Sequence, residues 1–165
     1  MHFGLRKCAL LAGLIFLFVS TPTTTWSHGT SYGKLTIDHP YAVLTQEPLG
    51  ASVYFRELAN RGPQTYRITG AQSGVASQVR LQTETHTPEH VIQWITIQTI
   101  TIEPKTSKRF RHNHDQGYRI SLTDLLQPLR DGDTFDLTLI FDDGGHKTVN
   151  VWVQAPRVGK RTHTH

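Results

Sequence analysis

From Leu35 to Val153 the chain offers almost no stretch that could coil into a helix. Its apolar and β-branched residues come in short runs, at Leu35 to Val43, Ala51 to Leu58, Thr65 to Ala71 and Gln78 to Thr85. Further runs follow at Val91 to Ile102, Tyr118 to Leu122, Phe135 to Phe141 and Thr148 to Val153. β-Branched side chains are stiff against a helical backbone and pack well on a pleated surface. Between the runs stand residues that bend a backbone: Asn60-Arg61-Gly62-Pro63, Asp131-Gly132-Asp133 and Asp142-Asp143-Gly144-Gly145. The last of these separates two alternating runs and predicts a hairpin. In the longest run Val91, Gln93, Ile95, Ile97 and Thr99 share one face at period two. Only Ser121 to Leu129 could hold a helical turn, and Pro128 limits it. Many short, evenly spaced strands predict an all-β domain, a sandwich or a barrel.

The first 27 residues read as a leader. Arg6 and Lys7 are basic, Ala9 to Val19 is an apolar run too short to cross a bilayer, and Thr25-Trp26-Ser27 offers small residues for cleavage. The expectation is a signal peptide over 1–27, a mature chain starting at His28 and export to a bacterial periplasm. The other reading is an uncleaved N-terminal anchor. Cys8 precedes the apolar run, so it is not placed like the cysteine of a lipoprotein anchor. Beyond the leader we expect a short segment at 28–33, one domain at 34–155 and a basic, His-containing tail at 156–165. The roughly 138 residues that remain suit one domain better than two. The whole chain carries 17 basic and 13 acidic residues. Two of the basic ones leave with the leader and three more, Arg157, Lys160 and Arg161, fall in the tail. No folded basic patch remains to suggest nucleic acid.

Cys8 and Met1 are the only cysteine and methionine, whereas all of the 10 histidines except His2 follow the leader. No disulfide can then hold the exported domain. Thiolate and thioether are the soft ligands that select Cu(I), while imidazole suits Cu(II), Zn and Ni. Any metal chemistry must therefore run on histidine, helped by carboxylates. His86 and His90 sit in Thr85-His86-Thr87-Pro88-Glu89-His90, and His112 and His114 in Arg111-His112-Asn113-His114-Asp115. His112 and His114 share a face if their segment is extended. With Glu84, Glu89 or Asp115 nearby, one or two histidines from each group could hold Cu(II) or Zn. The alternative is that all four are solvated loop residues. His28, through its imidazole and a free α-amine, and the tail pair His163 and His165 form an accessory set. His39, before Pro40, reads as structural, and His146 as an exposed hairpin residue.

Catalytic signatures are lacking. The sequence has no Gly-x-Ser-x-Gly elbow, no phosphate loop and no cysteine nucleophile, so we expect no enzyme. Asp142-Asp143-Gly144-Gly145 lacks the alternating ligands and distal glutamate of a calcium loop and reads as a turn.

Several local patterns, taken together, resemble one family. They are Leu35-Thr36-Ile37 with His39-Pro40-Tyr41-Ala42, Gly50-Ala51-Ser52-Val53-Tyr54-Phe55, Asn60-Arg61-Gly62, Gly117-Tyr118, Leu122, Leu125, Gln127-Pro128-Leu129, Gly132-Asp133 and Leu137-Thr138-Leu139-Ile140-Phe141. In this order, from Lys34 to Val153, they resemble the periplasmic copper chaperone family PCu(A)C. The resemblance implies a single antiparallel β-sandwich, cupredoxin-like or immunoglobulin-like, and a role in delivering copper to cytochrome c oxidase. It also implies a Cu(I) site built from a histidine and a methionine in central strands and a His-x-Met pair after Gly-Tyr. Those four positions fall on Gln82, a residue near Trp94, Arg119 and Ser121, so none of the ligands carries over. An arginine there opposes a cation with its fixed charge. The expectation is thus a metallochaperone-like protein in which copper, Cu(II) rather than Cu(I), or else zinc, is held by histidines. Its partner would be a cytochrome oxidase subunit or another periplasmic copper protein, with no membrane insertion once the leader is gone. The competing expectation is a sandwich without metal that serves as an assembly or interaction module.

Overall fold

The computed structural model describes residues 29–46, 49–89, 91–110 and 117–155. Its strands are β1 (Thr30–Tyr32), β2 (Leu35–Gln46), β3 (Leu49–Asn60), β4 (Tyr66–Ser73), β5 (Ala76–His86), β6 (Ile92–Thr96), β7 (Ile100–Ile102), β8 (Ser107–Lys108), β9 (Tyr118–Leu125), β10 (Thr134–Phe141) and β11 (His146–Gln154). The described residues contain no helix. Where a helical turn could have formed, β9 continues to Leu125, with Asp124 at a φ of 54° near its end.

The strands hydrogen-bond in the order β6-β5-β9-β3-β2-β11-β10-β4-β7, with β1 added to β2 and β8 to β3. Every pair is antiparallel except β11 with β2, which is parallel through Trp152↔Tyr41, Val153↔Ala42 and Gln154↔Val43. The two ends of this path, β6 and β7, are separated in sequence only by Ile97, Gln98 and Thr99. A link of that length reaches roughly 14 Å when extended, about the separation of two packed sheet layers. The continuous sheet must therefore fold over on itself, and the expected β-sandwich results.

The same geometry corrects the reading of Val91 to Ile102 as one stretch. Ile97 N–H still donates to Leu81 O, at 2.9 Å. The chain then leaves the β5 edge and pairs with β4 through Ile68↔Ile100 and Tyr66↔Ile102. Ile100 and Ile102 enter the core, while Ile92 and Ile95 stay exposed on the edge strand β6, as does Val91 just before it. β1 and β8 are too short to have left a period in the sequence.

The hairpin of β10 and β11 forms as its pattern demands. Phe135, Leu137, Leu139 and Phe141 are buried on one strand, Val149, Val151 and Val153 on the other, and their polar neighbours face outward. Closure elsewhere falls to Asn60, which is buried at the end of β3. Its side-chain amide donates to the carbonyls of Gln64 at 2.6 Å, Ile102 at 3.2 Å and Glu103 at 3.0 Å, and its oxygen accepts from Gly62 N–H at 2.9 Å. One residue thus ties the Asn60-Arg61-Gly62 turn to the segment after β7 and satisfies groups that would otherwise be buried unpaired.

Candidate functional site

In β3 every residue from Gly50 to Phe55 is buried, although Ala51, Val53 and Phe55 alone supply the core face. Ser52 and Tyr54 point to the other face, where Tyr41 stacks on Tyr54 with ring centroids 5.6 Å apart. From β9, Arg119 covers the rest. Its Nη1 donates to Ser52 Oγ at 3.2 Å, and Tyr54 is a further hydrogen-bond partner of the guanidinium. Arg119 is paired in register with Gln82 of β5, and its Nε donates to Gln82 Oε1 at 2.7 Å. The guanidinium carbon lies 4.3 Å from the centroid of the Trp94 ring on β6. Ser121 follows Arg119 on the same face, opposite Ser52 on one side and Arg80 on the other.

Of the four positions at which the sequence resemblance puts copper ligands, Arg119 therefore touches both Gln82 and Trp94, and Ser121 lies alongside. What they assemble is a polar plug. Burial pushes the Arg119 pKa below its usual value, and Tyr54 pulls it back upward. A guanidinium remains cationic throughout. Burial likewise raises the Tyr54 phenol, against the lowering influence of Arg119 and Ser52. The set contains no thiolate, thioether or imidazole, and a stacked guanidinium has donors but no lone pair to offer. These residues do not fit Cu(I).

A second polar group lies further along the same face of β5. Glu84 is paired with Trp94, and His86, the last residue of the strand, with Ile92. The Glu84 side chain is only 4% exposed, whereas that of His86 is 41% exposed. Glu84 Oε1 is buried without a hydrogen bond among the described residues. His86 Nε2 comes within 3.0 Å of it, in ion-pair range but not aligned as a donor. The Glu84 N–H donates to Gly117 O at 2.9 Å, so the start of the Gly117-Tyr118 segment adjoins this end of β5.

Of the histidines expected to hold metal, the structure describes His86 alone; it ends a strand and does not stand in the loop. His28, His90, His112, His114, His163 and His165 lie outside the described residues, as do the leader and the tail. Among the described residues no three His, Cys, Asp or Glu side chains gather into a metal-holding group. His39 differs from its reading as a structural histidine in an apolar setting. It is exposed, has a φ of 41°, and contacts the Asp38 carboxylate, which also accepts from Arg56 Nε at 2.7 Å. His146 is exposed, as expected. The fold adds Ser52 and Tyr54 to the cluster as partners of Arg119. The available signal was their alternation, as polar residues, within an otherwise apolar central strand.

The fold is the β-sandwich of solved PCuAC domains. A copper-bound PCuAC domain from PmoF2 superposes with a TM-score of 0.61 at 22% identity, covering 78% of this chain and 99% of that one. The apo PCuAC domain from PmoF1 gives 0.64 at 18% identity, over 78% and 100%. The solution structure of apo-DR1885 from Deinococcus radiodurans gives 0.55 at 20% identity, over 94% and 98%. At such identities the likeness is one of fold. No curated protein matches the chain in sequence. The sequence model of the LpqE-like lipoprotein family matches residues 35–153, and the chain belongs to that family.

Proposed function

We propose that this protein is an exported, copper-binding, metallochaperone-like protein that has given up the Cu(I) site of its fold and holds metal through histidines. It binds rather than catalyses. The ligands are drawn from His86, His90, His112 and His114, with His28, His163 and His165 as accessory groups. Cu(II) is preferred over Cu(I), and zinc is the competing ion. The cargo passes to a cytochrome oxidase subunit or another periplasmic copper protein. The observation that carries this reading is the hydrogen bond from Glu84 N–H to Gly117 O. It brings the residue that follows the His112 and His114 segment to the end of β5 where His86 stands. Membership of a family described as lipoproteins supports a location outside the cytoplasm, in keeping with the leader over 1–27.

A Cu(II) titration tests the reading. Replacing His86 and His112 together by alanine weakens binding far more than deleting the tail pair, and acidification weakens it further because imidazole must be unprotonated to ligate. If removing the tail alone abolishes binding, the folded domain is a bystander. The second reading, an interaction module without metal, then stands, and it is favoured by one observation: Arg119 fills the inherited position.

A further inference from the structure

We propose that Glu84 and His86 form the anchoring half of a Cu(II) site, displaced along β5 from the inherited one, in which a buried carboxylate oxygen and an imidazole nitrogen bind the ion together. The proposal rests on the histidine reading above and adds to it a ligand of another chemistry. Burying a carboxylate oxygen without a hydrogen bond is costly, so such an atom calls for a partner. At Glu84 Oε1 the group that approaches, His86 Nε2 at 3.0 Å, is not positioned to donate a proton along the contact. Two potential donor atoms thus converge with no hydrogen bond between them.

The donor set also orders the metals. With metal–nitrogen and metal–oxygen bonds of about 2.0–2.2 Å, donors 3.0 Å apart are close enough to share one ion. At such mixed imidazole and carboxylate donors divalent copper outranks zinc in affinity. One hard carboxylate and one imidazole are suited to Cu(II) and offer nothing to Cu(I). The burial is asymmetric in a useful way. Glu84 is fixed within the sheet while His86 is 41% exposed, so the ion can be reached from solvent and passed on by exchange of the outer ligands. Arg119, stacked on Trp94, keeps a fixed positive charge at the neighbouring position where the resemblance puts a ligand.

Trp94 is the internal reporter, because it lies directly across from Glu84 and paired residues have Cβ atoms about 5 Å apart. Cu(II) bound there quenches its fluorescence. The experiment uses the full chain, expressed with its leader and purified as the cell processes it, carrying Trp152→Phe so that Trp94 dominates the emission. Cu(II) is titrated while fluorescence and the electron paramagnetic resonance spectrum are followed. The expected result is strong quenching with an axial spectrum. Glu84→Gln should lower the affinity at least tenfold and abolish most of the quenching, with an unchanged circular dichroism spectrum. Zn(II) should compete only weakly. If Glu84→Gln binds Cu(II) as tightly as the parent while His86→Ala with His112→Ala does not, histidine ligation stands and the carboxylate ligand is refuted. If neither variant changes binding, both readings fail. Should Glu84→Gln not fold, the parent protein still decides: bound Cu(II) that leaves Trp94 emission intact overturns the site.

Discussion

Arg119 Nε and Gln82 Oε1 meet at 2.7 Å across the β5–β9 ladder, joining two positions where the PCu(A)C resemblance expects histidine ligands. The bond shows how side chains that are not metal ligands can fill these positions within the same fold. The side chains that replace the ligands satisfy one another, and Trp94 supplies an aromatic surface for the charge. Nothing in the cluster is left waiting for a metal.

Removing the plug should therefore cost stability and not metal. Arg119→Ala takes away charge-assisted bonds to Gln82 and Ser52 and the stacking on Trp94, a loss of about 2 kcal/mol. Urea denaturation should show that loss, while Cu(II) affinity stays unchanged or rises slightly because a repelling charge has gone. Loss of metal binding in this variant would show instead that Arg119 supports a metal site.

Because the four positions lie together, the older chemistry should be recoverable. The combined change Gln82→His, Trp94→Met, Arg119→His and Ser121→Met introduces two imidazoles and two thioethers, the softer donors that suit Cu(I). Competition against a Cu(I) chelator should show binding that the parent lacks. Any one of these substitutions alone should not produce it.

The β10–β11 turn is held from a distance by β1. Tyr32 stacks on Phe141 with centroids 4.1 Å apart and donates to both carboxylate oxygens of Asp143 at 2.9 Å. Gly145 is needed for this, since a Cβ on it would lie 1.6 Å from the Tyr32 hydroxyl. Gly145→Ala should destabilise by about 1–3 kcal/mol through overpacking. In a Tyr32→Ala background most of that penalty should vanish, and a double-mutant cycle by thermal melting measures the difference. Equal penalties in both backgrounds would place the strain elsewhere.

The same contact gives a pH dependence at each end of the scale. The Gly145 N–H and the Tyr32 hydroxyl hold the Asp143 carboxyl below its usual value of 3.8. The stability it adds is fully present above that value and is lost as the pH falls through the lower folded-state value. The Tyr32 phenol is raised above 10.0, by desolvation first and then by Asp143, so its contribution is present below 10.0 and is lost as the pH rises through the higher folded-state value. Asp143→Asn should flatten the acid limb of the stability curve. An unaltered acid limb would show that the contact is not coupled to folding.

Much of the fold was legible because local chemistry encodes it. The alternation in Phe135 to Phe141 and Thr148 to Val153, with Asp142-Asp143-Gly144-Gly145 between them, allows one hairpin and one buried face. The Val91 to Ile102 stretch was misleading for a physical reason. β-Branched residues favour an extended backbone wherever they stand, but they do not say which edge the strand will pair with. Nor do they say whether its face will be covered.

The sequence by itself determined that this chain would be all-β, since its periods and turn residues suit no other backbone, and that it had no soft ligands with which to hold Cu(I) after its leader. Tertiary structure alone decided that Gln82, Trp94, Arg119, Ser52 and Tyr54 would meet, because they come from four strands spread over nearly 70 residues and only the strand order brings them together. It alone set Glu84 Oε1 beside His86 Nε2 with no hydrogen bond between them. Strand period puts residues two apart on one face, but burial of the one and exposure of the other depend on what the rest of the sheet lays over them.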